Sequence, residues 1–142
     1  ILYARIYGWP IGKWNVSKIV NFQRAFKDQV NFNEDIGEWD MSNATNLSFM
    51  FWKASSFNQD LSRWNTSKVS NMRFMFTCAT SFNGDVTTWD TSKVEVLDGM
   101  FCRATAFNQN ISLWDVSNVV ENWEMFIHAE SFNNDFAPQF LS

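Results

Sequence analysis

Hydrophobic and polar positions along the chain repeat with a period of 25 residues. Tryptophan occurs at Trp14, Trp39, Trp64, Trp89 and Trp114, and twelve residues after each tryptophan comes Phe26, Phe51, Phe76, Phe101 or Phe126. A third series consists of Phe32, Phe57, Phe82, Phe107 and Phe132, each followed by an asparagine: Asn33, Asn58, Asn83, Asn108 and Asn133. A fixed period of this length is typical of repeat proteins.

Each unit carries two local patterns. The stretch "LSRWNTS" at residues 61–67 alternates apolar and polar side chains, which predicts a short strand with one buried face. The stretch "SNATNLSFMFWKA" at residues 42–54 places Ala44, Leu47, Met50, Phe51 and Ala54 at the spacing of a helix of about three turns. Ser42 is a candidate N-cap of this helix.

One short strand and one short helix cannot bury their own apolar faces, so we expect neighbouring units to stack. The pattern therefore predicts an α/β repeat solenoid of about five units, with short parallel strands on one side and short helices on the other. The predicted units are 1–13, which is partial, then 14–38, 39–63, 64–88, 89–113 and 114–142. Because the sequence begins in the middle of a unit, we expect this single domain to be a fragment of a longer chain.

The five tryptophans and the five asparagines have structural roles in this prediction. The indole rings are expected to stack in a column. The asparagines that follow the third phenylalanine series are expected to form a ladder, with each side-chain amide bonding backbone groups of its own unit and of the next one.

Composition narrows the class of protein. The chain is 46% hydrophobic and 18% aromatic, with a net charge of −4, which favours a packed core over disorder. Lys and Arg are scattered singly, so we expect no nucleic-acid partner. No apolar run approaches the ~20 residues that a transmembrane helix needs.

The unit "SFNQDLSRWNTSKVSNMRFMFTCA" resembles the repeat of the BspA-like leucine-rich-repeat surface proteins, which occur in bacteria and in marine eukaryotic algae. The resemblance covers essentially the whole chain. It implies a right-handed solenoid and a role in display and attachment at the cell surface. The phrases "WNTSKVSNM" and "WDTSKV" resemble the algal versions more than the bacterial ones.

Candidate chemistry is sparse. The same residues recur in every unit, whereas an enzyme needs unlike groups that converge on one place, so we predict no catalytic activity and no cofactor. The pair Glu124 and His128 has metal-ligand spacing on the predicted helix, but a surface ion pair is the favoured interpretation.

A column of polar residues follows the tryptophans and is expected to lie on the exposed sheet face: Asn15, Asp40, Asn65, Asp90 and Asp115. These side chains could bind calcium, but a solvated polar face is the favoured interpretation, because two asparagines interrupt the acids and lysines lie nearby.

The two cysteines, Cys78 and Cys102, fall in adjacent units. Helix axes usually lie 8–10 Å apart, and a disulfide needs Cα atoms within about 7 Å. We therefore expect two free thiols.

The strongest candidate for partner binding is the outer face of the predicted helices. A 100° step per residue places Phe49 and Trp52 away from the apolar stripe, with Phe74 beside Phe49 in the next unit, and Trp123 and Ile127 in the last unit. Exposed aromatic clusters usually mark an interface. The alternative is that these rings lie in gaps between units.

The sequence thus predicts a non-enzymatic scaffold that binds another protein, as an accessory or structural subunit of a larger assembly. An algal assembly such as a photosynthetic complex is one setting and would place the chain in a plastid. The alternatives are a cell-surface adhesin and a calcium-dependent carbohydrate binder that uses the polar column.

Overall fold

A computed structural model describes residues 10–140 of the chain. Most of the predicted partial unit 1–13 therefore lies outside the described residues. The only helices in the described range are two 3₁₀ helices of three residues each, at Ile11–Lys13 and Asn134–Phe136. Within the same range, no helix is long and apolar enough to cross a membrane.

The 25-residue period of the sequence is also the period of the contacts. Parallel β-bridges join the units at Asn21 and Asn46, Asn46 and Asn71, Asn71 and Val96, and Val96 and Glu121. Each bridge is isolated, so residues 10–140 contain no extended strand. The chain is therefore a repeat domain of stacked units with almost no regular helix or strand.

The predicted helices are absent, and successive turns take their place. We call these segments the ribbons, and number them one to five: 22–28, 47–53, 72–78, 97–103 and 122–128. In ribbon two, Met50 and Trp52 donate their N–H groups to the carbonyl three residues earlier. The residues that alternate with them, Phe49 and Phe51, donate instead to ribbon three. Local turns and contacts between units thus share the backbone hydrogen bonds of each ribbon.

The bonds between ribbons explain why the helix prediction was wrong. Each of the first four ribbons donates four N–H groups to carbonyls of the next ribbon or the residue just before it, with N···O distances of 2.7–3.1 Å. An α-helix uses these groups internally, and packed helices stand 8–10 Å apart. The phenylalanine rings of successive units are only 5.3–5.9 Å apart between centroids, so the units stack too closely for helices.

The ribbons require an unusual backbone conformation at two places per unit. The first of these positions has a positive φ at Arg24, Phe49, Phe74, Gly99 and Glu124, and the second at Asp28, Lys53, Cys78, Arg103 and His128. Only Gly99 adopts this left-handed conformation without the steric cost that a Cβ atom brings. The bonds between ribbons offset that cost in the other units.

The predicted strand is also absent. Residues 61–67 form turns around Trp64. Ser42, which was predicted as a helix N-cap, lies in the equivalent turn of its own unit, because its N–H group donates to the carboxylate of Asp40. The β-bridges occur instead at the residue just before each ribbon.

The core consists of stacked aromatic columns. Phe51, Phe76 and Phe101 are fully buried, and so are Phe57, Phe82 and Phe107 in the neighbouring column. Within a unit the two phenylalanine rings lie 3.8–4.1 Å apart between centroids and are nearly parallel. The indole rings of Trp64, Trp89 and Trp114 stack at 6.0 and 6.2 Å.

Candidate functional site

The predicted outer aromatic residues fall into two groups. Phe49, Trp52 and Phe74, in ribbons two and three, are half-buried. The rings of Phe49 and Phe74 pack against each other at 5.2 Å. These side chains do lie together on the ribbon side of the stack.

Cations cover the rings of this first group. Lys27 Nζ and Lys53 Nζ lie 5.0 and 4.3 Å from the centroid of the Trp52 ring. Arg24 lies 5.2 Å from the Phe49 ring, and Arg73 lies 5.7 Å from the Phe74 ring. Together with the partial burial of the three rings, these cation–π contacts fit the alternative interpretation of the sequence, in which the rings lie in gaps between units.

The second group, Trp123 and Ile127 in ribbon five, is exposed. The exposed fraction is 76% for Trp123 and 41% for Ile127. Trp123 lies one position away from the register expected from the sequence, since Glu124 is the residue equivalent to Phe49. Its true equivalents are Gln23, Ser48, Arg73 and Asp98, of which Ser48 and Asp98 are buried and Gln23 and Arg73 are exposed.

Ribbon five also has unused backbone donors. The N–H groups of Asn122, Glu124, Phe126 and His128 correspond to those that cross to the next unit in ribbons one to four. They find no acceptor within residues 10–140. Ribbon five thus combines exposed apolar side chains with a row of free N–H groups.

Five exposed apolar residues were missed by the sequence reasoning. Three of them lie in unit 14–38, namely Ile19, Val20 and Val30. Val120, 77% exposed, lies two residues before ribbon five, and Leu113, 94% exposed, lies on another part of the surface. For Val120 and Leu113 the signal was present in the repeat, because Val120 aligns with Val20, Thr45, Ser70 and Glu95, and Leu113 aligns with Lys13, Glu38, Arg63 and Thr88. An apolar residue in a largely polar column identifies an exposed apolar position.

The polar column Asn15, Asp40, Asn65, Asp90 and Asp115 is exposed in every unit. Each side chain accepts a hydrogen bond from the backbone N–H of the serine two residues later, at 2.9–3.1 Å. Each polar residue therefore closes a turn of its own unit. Among the residues that the structure describes, no three His, Cys, Asp or Glu side chains form a group suited to a metal ion.

The hydrogen bonds in the column lower the pKa of its acids. The hydroxyl and the N–H of the serine lower the pKa of Asp40, Asp90 and Asp115 below the ordinary value of 3.8. A carboxylate with a lowered folded-state pKa stabilises the fold at pH values above 3.8, and its contribution is lost as the pH falls through the folded-state pKa.

We therefore predict that the triple variant D40N, D90N and D115N loses melting temperature less steeply between about pH 5 and pH 2 than the wild type. An asparagine keeps a side-chain oxygen that accepts the serine N–H, as Asn15 and Asn65 do in the native chain. The melting temperature of the variant should therefore match that of the wild type near neutral pH. The measurement is thermal unfolding followed by circular dichroism across the pH range. The control is the triple variant E34Q, E95Q and E130Q, which removes the same charge at exposed sites. If the pH dependence of the melting temperature became equally shallow in both triple variants, the prediction would be refuted.

Two rows of hydrogen bonds run along the stack: one is made by the asparagines of the expected ladder, and the other is made by the indole N–H groups and was not predicted. The side-chain Oδ1 of Asn33 accepts the N–H of Asn58, and the same bond joins the later asparagines in turn, at 2.8–2.9 Å. These asparagines are exposed, so the ladder lies at the surface and not in a buried corner. The indole N–H groups of Trp39, Trp64, Trp89 and Trp114 each donate to a carbonyl 28 residues earlier.

Trp14 differs from the other tryptophans of the column. Its indole nitrogen is buried and has no hydrogen-bond partner. A cavity of about 540 Å³ opens beside it, lined by residues that include Val16, Phe22 and Trp39. Within residues 10–140, the first unit therefore has an open apolar end.

The remaining candidates are not brought together. Glu124 and His128 are both exposed and form no salt bridge with each other, so the ion pair expected from their spacing is absent. Cys78 and Cys102 are both unbridged and half-buried. The reason expected for two free thiols, the separation of packed helices, does not apply because neither cysteine lies on a helix.

Comparison with protein families gives one result. The model of the family described as "Mycoplasma protein of unknown function, DUF285" matches residues 3–86 and again residues 61–139. Searches of curated proteins and of solved structures return no match. The two family matches overlap and together cover nearly the whole chain, as expected where one family model describes a set of tandem repeats. The chain, a stack of 25-residue units with an exposed apolar ribbon at its last unit, belongs to the DUF285 family.

Proposed function

We propose that this chain is a non-enzymatic scaffold that binds another protein through ribbon five and Val120, which lies two residues before it. The observation that carries the proposal is the exposure of Val120, Trp123 and Ile127 on one segment. Tryptophan is among the residues that contribute most to protein interfaces, and an exposed apolar patch with a polar surround is typical of a binding site.

The N–H groups of ribbon five that have no acceptor within residues 10–140 support one mode of partner binding. A segment that presents carbonyl groups at alternate residues would accept hydrogen bonds from Asn122, Glu124, Phe126 and His128, as each ribbon does for the one before it. Recognition by addition of a segment to an open backbone edge is a common mode of peptide binding. The exposed side chains would then select the partner.

The wider roles are part of the same proposal. An accessory or structural subunit of a larger assembly would use this surface, and so would the surface attachment implied by the resemblance to BspA-like proteins. The repetition of the same residues in every unit supports a binding role over catalysis. The charged cover over Phe49, Trp52 and Phe74 makes those rings the weaker candidates for the interface.

The test compares partner capture by immobilised wild type and by the double variant W123S and I127S. We expect the double variant to recover at least about tenfold less of a partner identified by mass spectrometry. The matched control is L113S, which removes a more exposed leucine at a different place on the surface and should leave recovery unchanged.

Melting temperatures must agree among the three proteins, so that a loss of capture reports on contact and not on folding. Undiminished capture by W123S and I127S, or a loss that occurs equally in L113S, would contradict the proposal.

A further inference from the structure

The two cysteines lie across a direct contact between ribbons three and four. The N–H of Cys78 donates a hydrogen bond of 2.9 Å to the carbonyl oxygen of Cys102. With ordinary peptide dimensions, such a bond places the two Cα atoms about 5–6 Å apart. Disulfides span Cα distances of about 4.4–6.8 Å, so the backbone already has the separation that a bridge needs.

The environment of the thiols agrees with this geometry. Both side chains are half-buried, so a small molecule in solution can reach them. Burial raises the pKa of Cys102, and the neighbouring Cys78 acts in the same direction as the second cause. The two sulfur groups are therefore near enough to influence each other electrostatically.

We propose that Cys78 and Cys102 are a modification site, at which an intramolecular disulfide forms between the third and fourth ribbons when the protein meets a low-molecular-weight disulfide. This inference is independent of the proposed protein-binding function, because neither cysteine belongs to ribbon five.

The reaction consumes one molecule of the disulfide oxidant, such as oxidised glutathione. One cysteine thiolate attacks the oxidant, which forms a mixed disulfide and releases one glutathione thiolate. The second cysteine thiolate then attacks the protein sulfur of the mixed disulfide and releases the second glutathione. Two electrons pass from the protein to the oxidant, and the two thiol protons end on the two glutathione molecules.

The bridge would hold together two neighbouring units that are otherwise joined by packing and hydrogen bonds. The cysteines are 24 positions apart in the sequence, and a cross-link over a loop of this length restricts the unfolded chain. For a domain of this size we expect the melting temperature to rise by about 5–10 °C on oxidation.

The experiment equilibrates the folded protein with excess oxidised glutathione and measures its intact mass, its free thiols and its melting temperature. The expected product is a monomer that has lost two hydrogens, contains no glutathione and melts at the higher temperature. Proteolysis without reduction should yield one linked peptide pair containing Cys78 and Cys102.

The single variants C78S and C102S are the controls. Each should gain one glutathionyl group and show no rise in melting temperature, because neither variant retains a second thiol. If a serine variant fails to fold, the peptide pair from the wild type decides the question by itself.

Three outcomes would overturn the proposal. These are a wild type that carries glutathione on both cysteines, a wild type that keeps two free thiols while the unfolded protein oxidises under the same conditions, and a disulfide-linked dimer.

Discussion

Replacing Phe76 with alanine should lower the free energy of unfolding by about 4 kcal/mol. The Phe76 ring is fully buried and stacks on Phe82 at 3.9 Å within its own unit. It also lies between Phe51 at 5.3 Å and Phe101 at 5.6 Å, in the units before and after. Truncation leaves a cavity with aromatic neighbours on three sides, and the hydrogen bonds between ribbons limit how far the units can close on it.

The measurement is urea unfolding followed by circular dichroism, and F126A is the matched control. Phe126 occupies the equivalent place in ribbon five, where it stacks on Phe101 at 5.9 Å and on Phe132 at 4.1 Å, but it is only half-buried. Because no further unit covers one side of its ring within residues 10–140, F126A should cost only about 1–2 kcal/mol. A cost for F126A equal to that of F76A would show that interior stacking is not the main source of stability.

The aromatic columns were predictable from the sequence, because their cause is local and repeated. A phenylalanine that returns every 25 residues must occupy the same place in every unit, and stacking then brings Phe51, Phe76 and Phe101 into one column. The asparagine ladder follows from the same reasoning. Each of these features depends on period alone and not on the conformation of the chain between the repeated residues.

The ribbons could not be predicted from periodicity. The apolar positions Ala44, Leu47, Met50 and Phe51 fit a helix, but the same spacing fits successive turns in which every third or fourth residue faces the core. The choice depends on bonds between units, such as Phe49 N–H to the Arg73 carbonyl, which no short window of sequence contains. The positive φ at Phe49 and Lys53 gives no sequence signal either, since these are not residues that favour it.

The candidate site, too, was predictable only in part. The sequence identified Trp123 and Ile127 as outward-facing, but by a helical projection that does not apply to a ribbon. Their exposure has a different cause, which is that ribbon five has an open edge within the described residues. That cause is a property of the stack, so it required the structure.

Replacing Arg73 with methionine should lower the free energy of unfolding by about 2–3 kcal/mol. Arg73 donates to the carboxylate of Asp98 at 2.8 Å and to that of Glu121 at 3.2 Å. The Asp98 side chain is only 6% exposed, whereas Arg73 is 44% exposed. The variant would leave a buried carboxylate with one remaining donor, the N–H of Trp123 at 2.8 Å.

Buried Asp98 pairs with exposed Arg73 because a second column of side chains, which begins with asparagines beside the ribbons, changes in the later units. Asn21, Asn46 and Asn71 each accept the N–H of the residue two places later within their own unit. Val96 and Glu121 occupy the next two places in that column, and the N–H of Trp123 is bonded by Asp98 from the unit before. Loss of Arg73 should therefore weaken the contact between ribbons four and five as well as the ion pair itself.

The control is R63M, which removes an exposed ion pair with Glu38 at 3.5 Å between side chains that are 73% and 56% exposed. Exposed pairs contribute little, so R63M should cost less than about 0.5 kcal/mol. In denaturant unfolding, the combination of R73M with D98N should recover part of the loss, because the neutral amide needs no buried counter-charge. A double variant as unstable as the sum of the two single variants would mean that Arg73 acts through its packing on Phe74 and not through the carboxylate.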